Sequence, residues 1–505
     1  MSADASRREL VLPEAEAQAV LLVQALEEAD RTGELLALET RREATRSARQ
    51  QNSDDEAAWL AERALDLSSQ LDRELTFLPR LRSWTRPLRG LLVPAAVVAF
   101  VLGVGTNALG PQQHVNVLAL PLLGLIAWNL AVLVLLALRA FLPLSLDARV
   151  PAFIHRLRAI VRRLIARLPS DDRGEATQKR LRGALESYLR AWLPAVTPLA
   201  IARSQRLLHA GSLLLIGGVV AGMYARGIAY QYLATWESTF LSGATVDRFL
   251  GVVLAPAAAL LDTDVPRAAA IESPATGDGA PWIHLYAVTA ALLVGLPRLL
   301  LALYESVRCA RRRRSVAITL PDGYLRRLLA AVETAQHRIE VLPYSYRPAA
   351  PVTTALRQLL LDLFGARSEI RIRETLDYGS EPSDIEAGSG RLRVVLCSLS
   401  QTPEVEVHGE LLQQFRERLP DGQALLLVVD GSAYRRKLEH EGQLDERSVK
   451  RLAERRRAWD RVVRDAALLA LHVDLRQPLP DEVLTQAVAA VWPQGSLALE
   501  PGASA

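Results

Sequence analysis

The side chains best placed for chemistry lie in the last third of the chain. The runs Arg338–Leu342, Leu392–Ser398 and Ala424–Asp430 are apolar and of strand length. Residues just beyond them would stand where parallel α/β sheets bind ligands, past the carboxyl ends of the strands. These residues are Tyr344, Tyr346 and Arg347 after the first run, Ser398–Thr402 at the second, and Asp430, Ser432 and Tyr434 at the third. A nucleotide-binding domain would carry GxxxxGK[ST] or GxGxxG here, because glycines let backbone N–H groups wrap a phosphate. The turn after Leu342 reads PYSYRPAAP instead, and its prolines remove those donors. Nucleotide hydrolysis by the chain itself is therefore not expected, and no cofactor is predicted. The Asp430-Gly431-Ser432 turn has the atoms to hold a base or a metal, but an Asp at a strand-to-turn junction reads first as a cap. Tyr344, Tyr346, Arg347, Asp430, Ser432 and Tyr434 are accordingly candidates for a partner or ligand surface.

Other reactive side chains form no constellation. His114, His209 and His284 fall near the ends of apolar runs, while His408 and His440 are isolated, so none has metal-ligand spacing. Cys397 sits in an expected buried strand, and Cys309 precedes a run of arginines without a His or acid partner in sequence. Glu237, between Trp236 and Ser238, is the carboxylate that a proton or ion carrier would want; an exposed loop residue is the plainer reading. No catalytic residue or metal ligand is assigned, and an enzyme is the least supported class.

A chain of 505 residues that is 50% hydrophobic and 23% charged, with mean hydropathy +0.12, must segregate its apolar and charged residues, since one compact core cannot absorb both. The apolar share gathers in uncharged runs that predict four transmembrane helices, at about 91–109, 115–138, 207–225 and 281–301. Arg298, inside the fourth, is expected to snorkel toward a headgroup. The stretch 139–206 is strongly basic and Arg308 and Arg311–Arg314 follow the fourth run, whereas 227–278 is acidic. The excess of Arg marks the cytoplasmic side, so both termini are expected inside, and no signal peptide precedes the first span. Gly218 and Gly222 form a GxxxG pair that predicts close helix packing, within the chain or between chains. The outer segment 227–280 carries Tyr230, Tyr232 and Trp236, read as a membrane belt or as a pore lining. It also holds an uncharged run, Phe249–Leu261, too short to span and so expected to be interfacial or re-entrant.

The organisation expected is a cytoplasmic helical N-terminal region (1–88), a membrane domain (89–305) with a basic cytoplasmic helical insert (139–206), a basic juxtamembrane linker (306–335), a cytoplasmic α/β domain (336–495) and a disordered tail (496–505). The fold class is thus an α-helical membrane protein with four spans plus an α/β domain, Rossmann-like or a degenerate GTPase-like fold without a phosphate loop. Within the insert, Arg156, Arg163 and Arg167 decorate an amphipathic stretch that would lie on anionic inner-leaflet lipids, as would Arg311 and Arg312. The alternative for that stretch is packing against other helices. A pI near 9.2 invites nucleic acid, yet the arginines cluster at span ends, and Lys occurs only at Lys179, Lys437 and Lys450, so no nucleic-acid partner is expected.

Several segments carry a family resemblance: YLATWESTFL (Tyr232–Leu241), APWIHLYAVTAALLVGLPRLLLAL (Ala280–Leu303), VNVLALPLLGLIAWNL, TPEVEVHGE and VVDGSAYRRKL. Together they resemble the proteobacterial inner-membrane family known as domain of unknown function 2868. The resemblance covers nearly the whole chain and implies an integral inner-membrane protein without an established activity. Such products are often encoded beside a GTPase-like protein, which implies a GTPase-like partner. The expected function is a non-enzymatic membrane anchor or regulator whose α/β domain docks that partner, with a small oligomeric channel or transporter using the outer aromatic segment as the alternative.

Overall fold

The computed structural model describes residues 7–31, 33–84, 86, 88, 90–106, 114–118, 120–141, 175–332, 337–380, 392–419, 424–440, 443–464, 470–475 and 484–488. Ten strands lie among them: β1 (Arg7–Leu12), β2 (His114–Asn116), β3 (Leu233–Thr235), β4 (Gly277–Asp278), β5 (Val316–Pro321), β6 (Arg338–Pro343), β7 (Glu369–Ile372), β8 (Leu392–Ser398), β9 (Ala424–Asp430) and β10 (Ala470–Val473). The rest is mostly helical, and the chain divides into two compact units: 1–73 with 170–188 and 317–505, and 74–169 with 189–316.

The first unit is organised by a five-stranded parallel sheet, order β10-β9-β8-β6-β7. Every residue of β8 is buried, as is β9 from Leu425 onward. Continuous apolar runs such as LRVVLCS and ALLLVVD are what a parallel sheet covered on both faces requires. The helix Ala350–Phe364 buries Val352, Leu356, Leu359, Leu360 and Leu363, one stripe at helical spacing, and stops at Gly365, whose φ of +95° suits glycine. The order reverses between β6 and β8, because the chain runs from β6 out to β7 and then back past β6 to β8. That reversal opens a crevice at the carboxyl ends of β6 and β8, the place where open parallel sheets take ligands.

The same unit includes the N-terminal helices Glu14–Ala29, Leu38–Gln51 and Glu56–Glu74, and β1 pairs with β5. The division expected from sequence is different: a cytoplasmic helical N-terminal region, 1–88, and a basic juxtamembrane linker, 306–335. Residues 306–335 instead hold the end of the helix Leu296–Arg314, β5 and the helix Asp322–Val332. The physical reason is a buried polar junction. The Arg63 guanidinium lies 2.5 Å from Glu27 Oε1, Tyr324 donates its hydroxyl to Glu27 Oε2 at 2.7 Å, and Arg63 Nε donates to Thr45 Oγ1 at 2.7 Å. Burial alone would raise the Glu27 carboxyl, but Arg63, the Tyr324 hydroxyl and Arg41 outweigh it and hold it below the usual carboxylate range.

Among the described residues three helical stretches are long and apolar enough to cross a membrane: Thr177–Ala229, which enters the second unit at Leu189, and Gly243–Leu261 and Ala280–Arg314 within that unit. The first and last contain the expected spans 207–225 and 281–301. The middle one is a correction of length, since the run expected from Phe249 begins at Gly243, where Ser242 caps the helix by accepting the Thr245 N–H. The expected span 91–109 corresponds to the shorter apolar helix Leu92–Gly105, and 115–138 to the 22-residue helix Leu120–Phe141. Residues 114–116 form β2 rather than the start of a span, because β2 pairs with β3 and β3 with β4 in a three-stranded sheet.

Large apolar side chains of this unit face outward: Val93, Leu102, Trp128, Val252 and Leu260 are each more than half exposed. Leu92–Gly105 buries only Gly103. Apolar surface on this scale is compatible with a membrane protein. The GxxxG pair works within the chain: a Cβ at Gly218 would lie 2.2 Å from the Phe100 carbonyl oxygen and one at Gly222 2.9 Å from that of Val104. Arg226 then reaches over to the end of Leu92–Gly105, donating from Nη2 to Val104 O and from Nη1 to Thr106 O, both at 3.1 Å. The unpaired carbonyls of that helix end are thereby satisfied.

Candidate functional site

At the carboxyl ends of β6, β8 and β9 the protein's own polar side chains bond to one another and to the backbone. Asp430, fully buried at the end of β9, accepts the Ser432 N–H at 3.0 Å, the Ser432 hydroxyl at 2.7 Å and the Tyr346 hydroxyl at 2.6 Å. Asp430 does not cap the helix Ser432–Leu438, whose N-cap is Gly431 without a side-chain bond; it instead closes an Asx turn onto the Ser432 N–H, with Tyr346 arriving from the β6 side as a third donor. Burial, and then the Asp430 carboxylate, push the Tyr346 hydroxyl well above the usual phenol range, so it donates at any physiological pH. Gln401, after β8, ties the neighbouring turn down: Nε2 donates to Tyr344 O at 3.1 Å and Ser345 O at 2.8 Å, while Oε1 accepts the Ser398 N–H at 2.9 Å. Ser345 pays for the turn with a φ of +47°.

Of the predicted surface residues, Tyr344 is not on the surface. It is fully buried, its hydroxyl accepts the Gly379 N–H at 2.9 Å, and its ring meets the edge of His408 at 5.4 Å. Arg347 is exposed, and Tyr434 is half-buried beneath the Arg455 guanidinium, 5.5 Å from its ring. The structure thus joins Tyr346, Asp430 and Ser432 in one hydrogen-bonded clasp with Tyr344 beneath. Arg347 remains as a free-standing charge at the rim.

Sequence spacing gave no hint of the aromatic group behind the crevice. His408 lies in a π-helical turn, Val405–Gly409, and its ring packs on Tyr344, on Tyr378 at 6.2 Å and on Trp459 at 4.9 Å. The Glu404 N–H points at His408 Nδ1, 3.3 Å away, which makes Nδ1 the acceptor and places the ring proton on Nε2. Burial lowers the His408 imidazole below its usual range, so this ring is neutral at physiological pH. Burial likewise pushes the Cys397 thiol up, leaving it an inert core group.

The second unit contains a polar cluster that the sequence led us to misplace. Arg298 does not snorkel: it is 4% exposed, Nη2 donates to Asn129 Oδ1 at 3.0 Å and Nη1 lies 3.1 Å from His209 Nδ1. Asn129 and His209 are themselves buried, and so is Glu305, one carboxylate oxygen of which takes Arg308 Nη1 at 3.0 Å. The second unit therefore holds buried charge where the sequence predicts a snorkelling side chain. A lone Arg flanked by apolar residues looks the same in sequence whether it faces a headgroup or two polar neighbours from other helices.

The outer candidate residues behave differently from one another. Trp236 is fully buried and donates Nε1–H to Ala268 O at 2.7 Å, so it is a core anchor and not a lining residue. Glu237 is exposed, and the Ser238 hydroxyl accepts the Phe240 and Leu241 N–H groups in a turn. Arg311 and Arg312 occupy the last turn of the helix Leu296–Arg314, where their charge suits the helix dipole. Arg156, Arg163 and Arg167, and the expected tail 496–505, lie outside the described residues. Among the described residues, no group of three or more His, Cys, Asp or Glu side chains is placed to hold a metal ion. No protein-family model matches the chain, and neither the curated proteins nor the solved structures contain a match to it.

Proposed function

We propose that this chain is an integral inner-membrane protein of four spans that holds a docking module, built on a doubly wound α/β sheet, on the cytoplasmic side. The observation that carries the docking reading is the clasp of Tyr346, Asp430 and Ser432, which fills the crevice a nucleotide would need with internal hydrogen bonds. A domain that closes its own ligand crevice is suited to presenting a surface, with Arg347 and the arginine-rich helix Glu446–Arg464 at hand for an acidic partner. The family resemblance points to a GTPase-like protein as that partner.

The four-span topology is supported by parity. Residues 1–73, 170–188 and 317–505 belong to one compact unit and therefore to one side of a bilayer, so the chain crosses an even number of times in 74–169 and again in 189–316. Among its described residues the first interval contains two apolar helices, Leu92–Gly105 and Leu120–Phe141. The second contains three apolar stretches, so one of them does not cross. Gly243–Leu261 is the one, because the strands before and after it, β3 and β4, pair with each other (Leu233 with Asp278, Ala234 with Gly277), returning the chain to where it left. Both termini then share the cytoplasmic side marked by Arg311–Arg314. The Arg side chains at those ends would also contact anionic lipids.

The channel reading loses its original support, since Trp236 is core and Glu237 is an exposed loop residue. Crosslinking mass spectrometry on the full chain in native membranes tests the docking reading. The expected result is crosslinks from Arg347-flanking and Glu446–Arg464 peptides to a GTPase-like protein. Saturable GTP binding and turnover by the purified full chain alone would overturn it.

A further inference from the structure

Arg298 is a buried cation without a counter-charge. A guanidinium has only donors, so its contact with His209 Nδ1 requires that nitrogen to accept, which fixes His209 as the neutral tautomer protonated on Nε2. The other contact is the amide oxygen of Asn129. Both acceptors are neutral, no carboxylate among the described residues pairs with Arg298, and its Nε, buried from solvent, has no hydrogen-bond partner. The nearby acid, Glu305, is already engaged by Arg308, which Gln205 also accepts from at 3.0 Å. Charge in a membrane interior faces the bundle and is paired, or marks a pathway, because an unpaired ion there is expensive. The five-residue π-helical segment Ala291–Gly295, immediately before this turn, is a distortion of the kind that recurs at functional sites and alters which face the following residues present.

We infer that Arg298, oriented by Asn129 and His209, binds a small inorganic monovalent anion within the membrane unit. The ligand is compact because Arg298 is only 4% exposed, which leaves no room for a lipid headgroup. It is an anion because the group lacks charge compensation and not only a hydrogen-bond acceptor. This inference stands apart from the docking reading, since it concerns side chains of the second unit alone.

The test uses the full chain in phosphatidylcholine nanodiscs, titrated with sodium bromide against sodium gluconate at constant ionic strength, with thermal unfolding as the readout. The wild type is expected to gain stability saturably with bromide and not with gluconate. Arg298→Gln should lose the response. Asn129→Asp, which supplies an internal carboxylate to the same guanidinium, should raise the Tm without bromide and also abolish the response, so the result does not rest on one variant. Arg226→Gln, remote from the cluster, should keep it. The inference is overturned if bromide and gluconate act alike on the wild type, if Arg298→Gln responds as the wild type does, or if the stabilisation arises only with phosphatidylglycerol in the disc, which would assign the contact to a lipid phosphate.

Discussion

Tyr324 donates its hydroxyl to Glu27 at 2.7 Å, across 297 positions of sequence, and both side chains are buried. That contact, with Arg63 against the other carboxylate oxygen, makes the N-terminal helices part of the same unit as the parallel sheet.

Breaking this junction should unfold the unit as a whole. Arg63→Met leaves the buried Glu27 with only the Tyr324 hydroxyl and the longer contact to Arg41, and is expected to cost up to about 3–5 kcal/mol. Tyr324→Phe removes one donor and should cost about 1–3 kcal/mol. Thermal unfolding of the full chain measures both, and hydrogen exchange should show protection lost in Glu14–Ala29 and in the sheet together. Because the folded Glu27 carboxyl lies below its ordinary value near 4.5, its contribution is complete above that value and disappears as the pH falls through the lower folded one. Glu27→Gln should remove this acid-sensitive component.

His408 should make the same unit sensitive at a higher pH. Its folded imidazole titrates below the ordinary value of 6.5, so the neutral ring stabilises the fold above that value, and stability declines as the pH drops through the depressed one. Unfolding midpoints measured between about pH 7.5 and 5 should decline, and His408→Gln should flatten the decline. A wild-type profile already flat over that range would contradict the assignment of a neutral buried ring.

The glycine seam offers an internal control. Gly218→Ala would drive a Cβ to within 2.2 Å of the Phe100 carbonyl oxygen, whereas a Cβ at Gly217 meets nothing within 4 Å. Gly218→Ala should destabilise the second unit by about 1–3 kcal/mol, as overpacking does. Gly217→Ala should be neutral. Equal unfolding midpoints for the two variants in detergent would show that Leu92–Gly105 does not pack on this seam.

The sheet was legible in the sequence because a parallel sheet buried on both faces writes itself as uninterrupted apolar runs. Leu392–Ser398 and Ala424–Asp430 are strands over the very residues the runs mark. The turn at Asp430 was legible too, since Asp-Gly-Ser carries its own local chemistry, although Asp430 bonds Ser432 in an Asx turn and Gly431 is the helix N-cap. Other features depend on partners distant in sequence. Val115 and Asn116 stand in an apolar run, yet β3 claims them as a strand. Glu27, Arg63 and Tyr324 each look like ordinary residues of amphipathic helices until the three meet. Tyr344 looks exposed in PYSYRP, but His408 covers it from a helix more than sixty positions on. Arg298 belongs with these: only Asn129 and His209, supplied by two other helices, distinguish an interior cation from a snorkelling one.

The central claim, that one docking unit made from both ends of the chain is held on a single side of the membrane, is tested by single-cysteine labelling in sealed inner-membrane vesicles. Both native cysteines are buried, so the background is low. Ser53→Cys, in the turn between the helices Leu38–Gln51 and Glu56–Glu74, and Gln358→Cys, on the helix Ala350–Phe364, should react with a membrane-impermeant maleimide only in inside-out vesicles. Phe240→Cys, whose parent side chain is 94% exposed, should react only in right-side-out vesicles. Labelling of Ser53→Cys and Gln358→Cys from opposite sides, or of Phe240→Cys from the same side as both, would contradict the account.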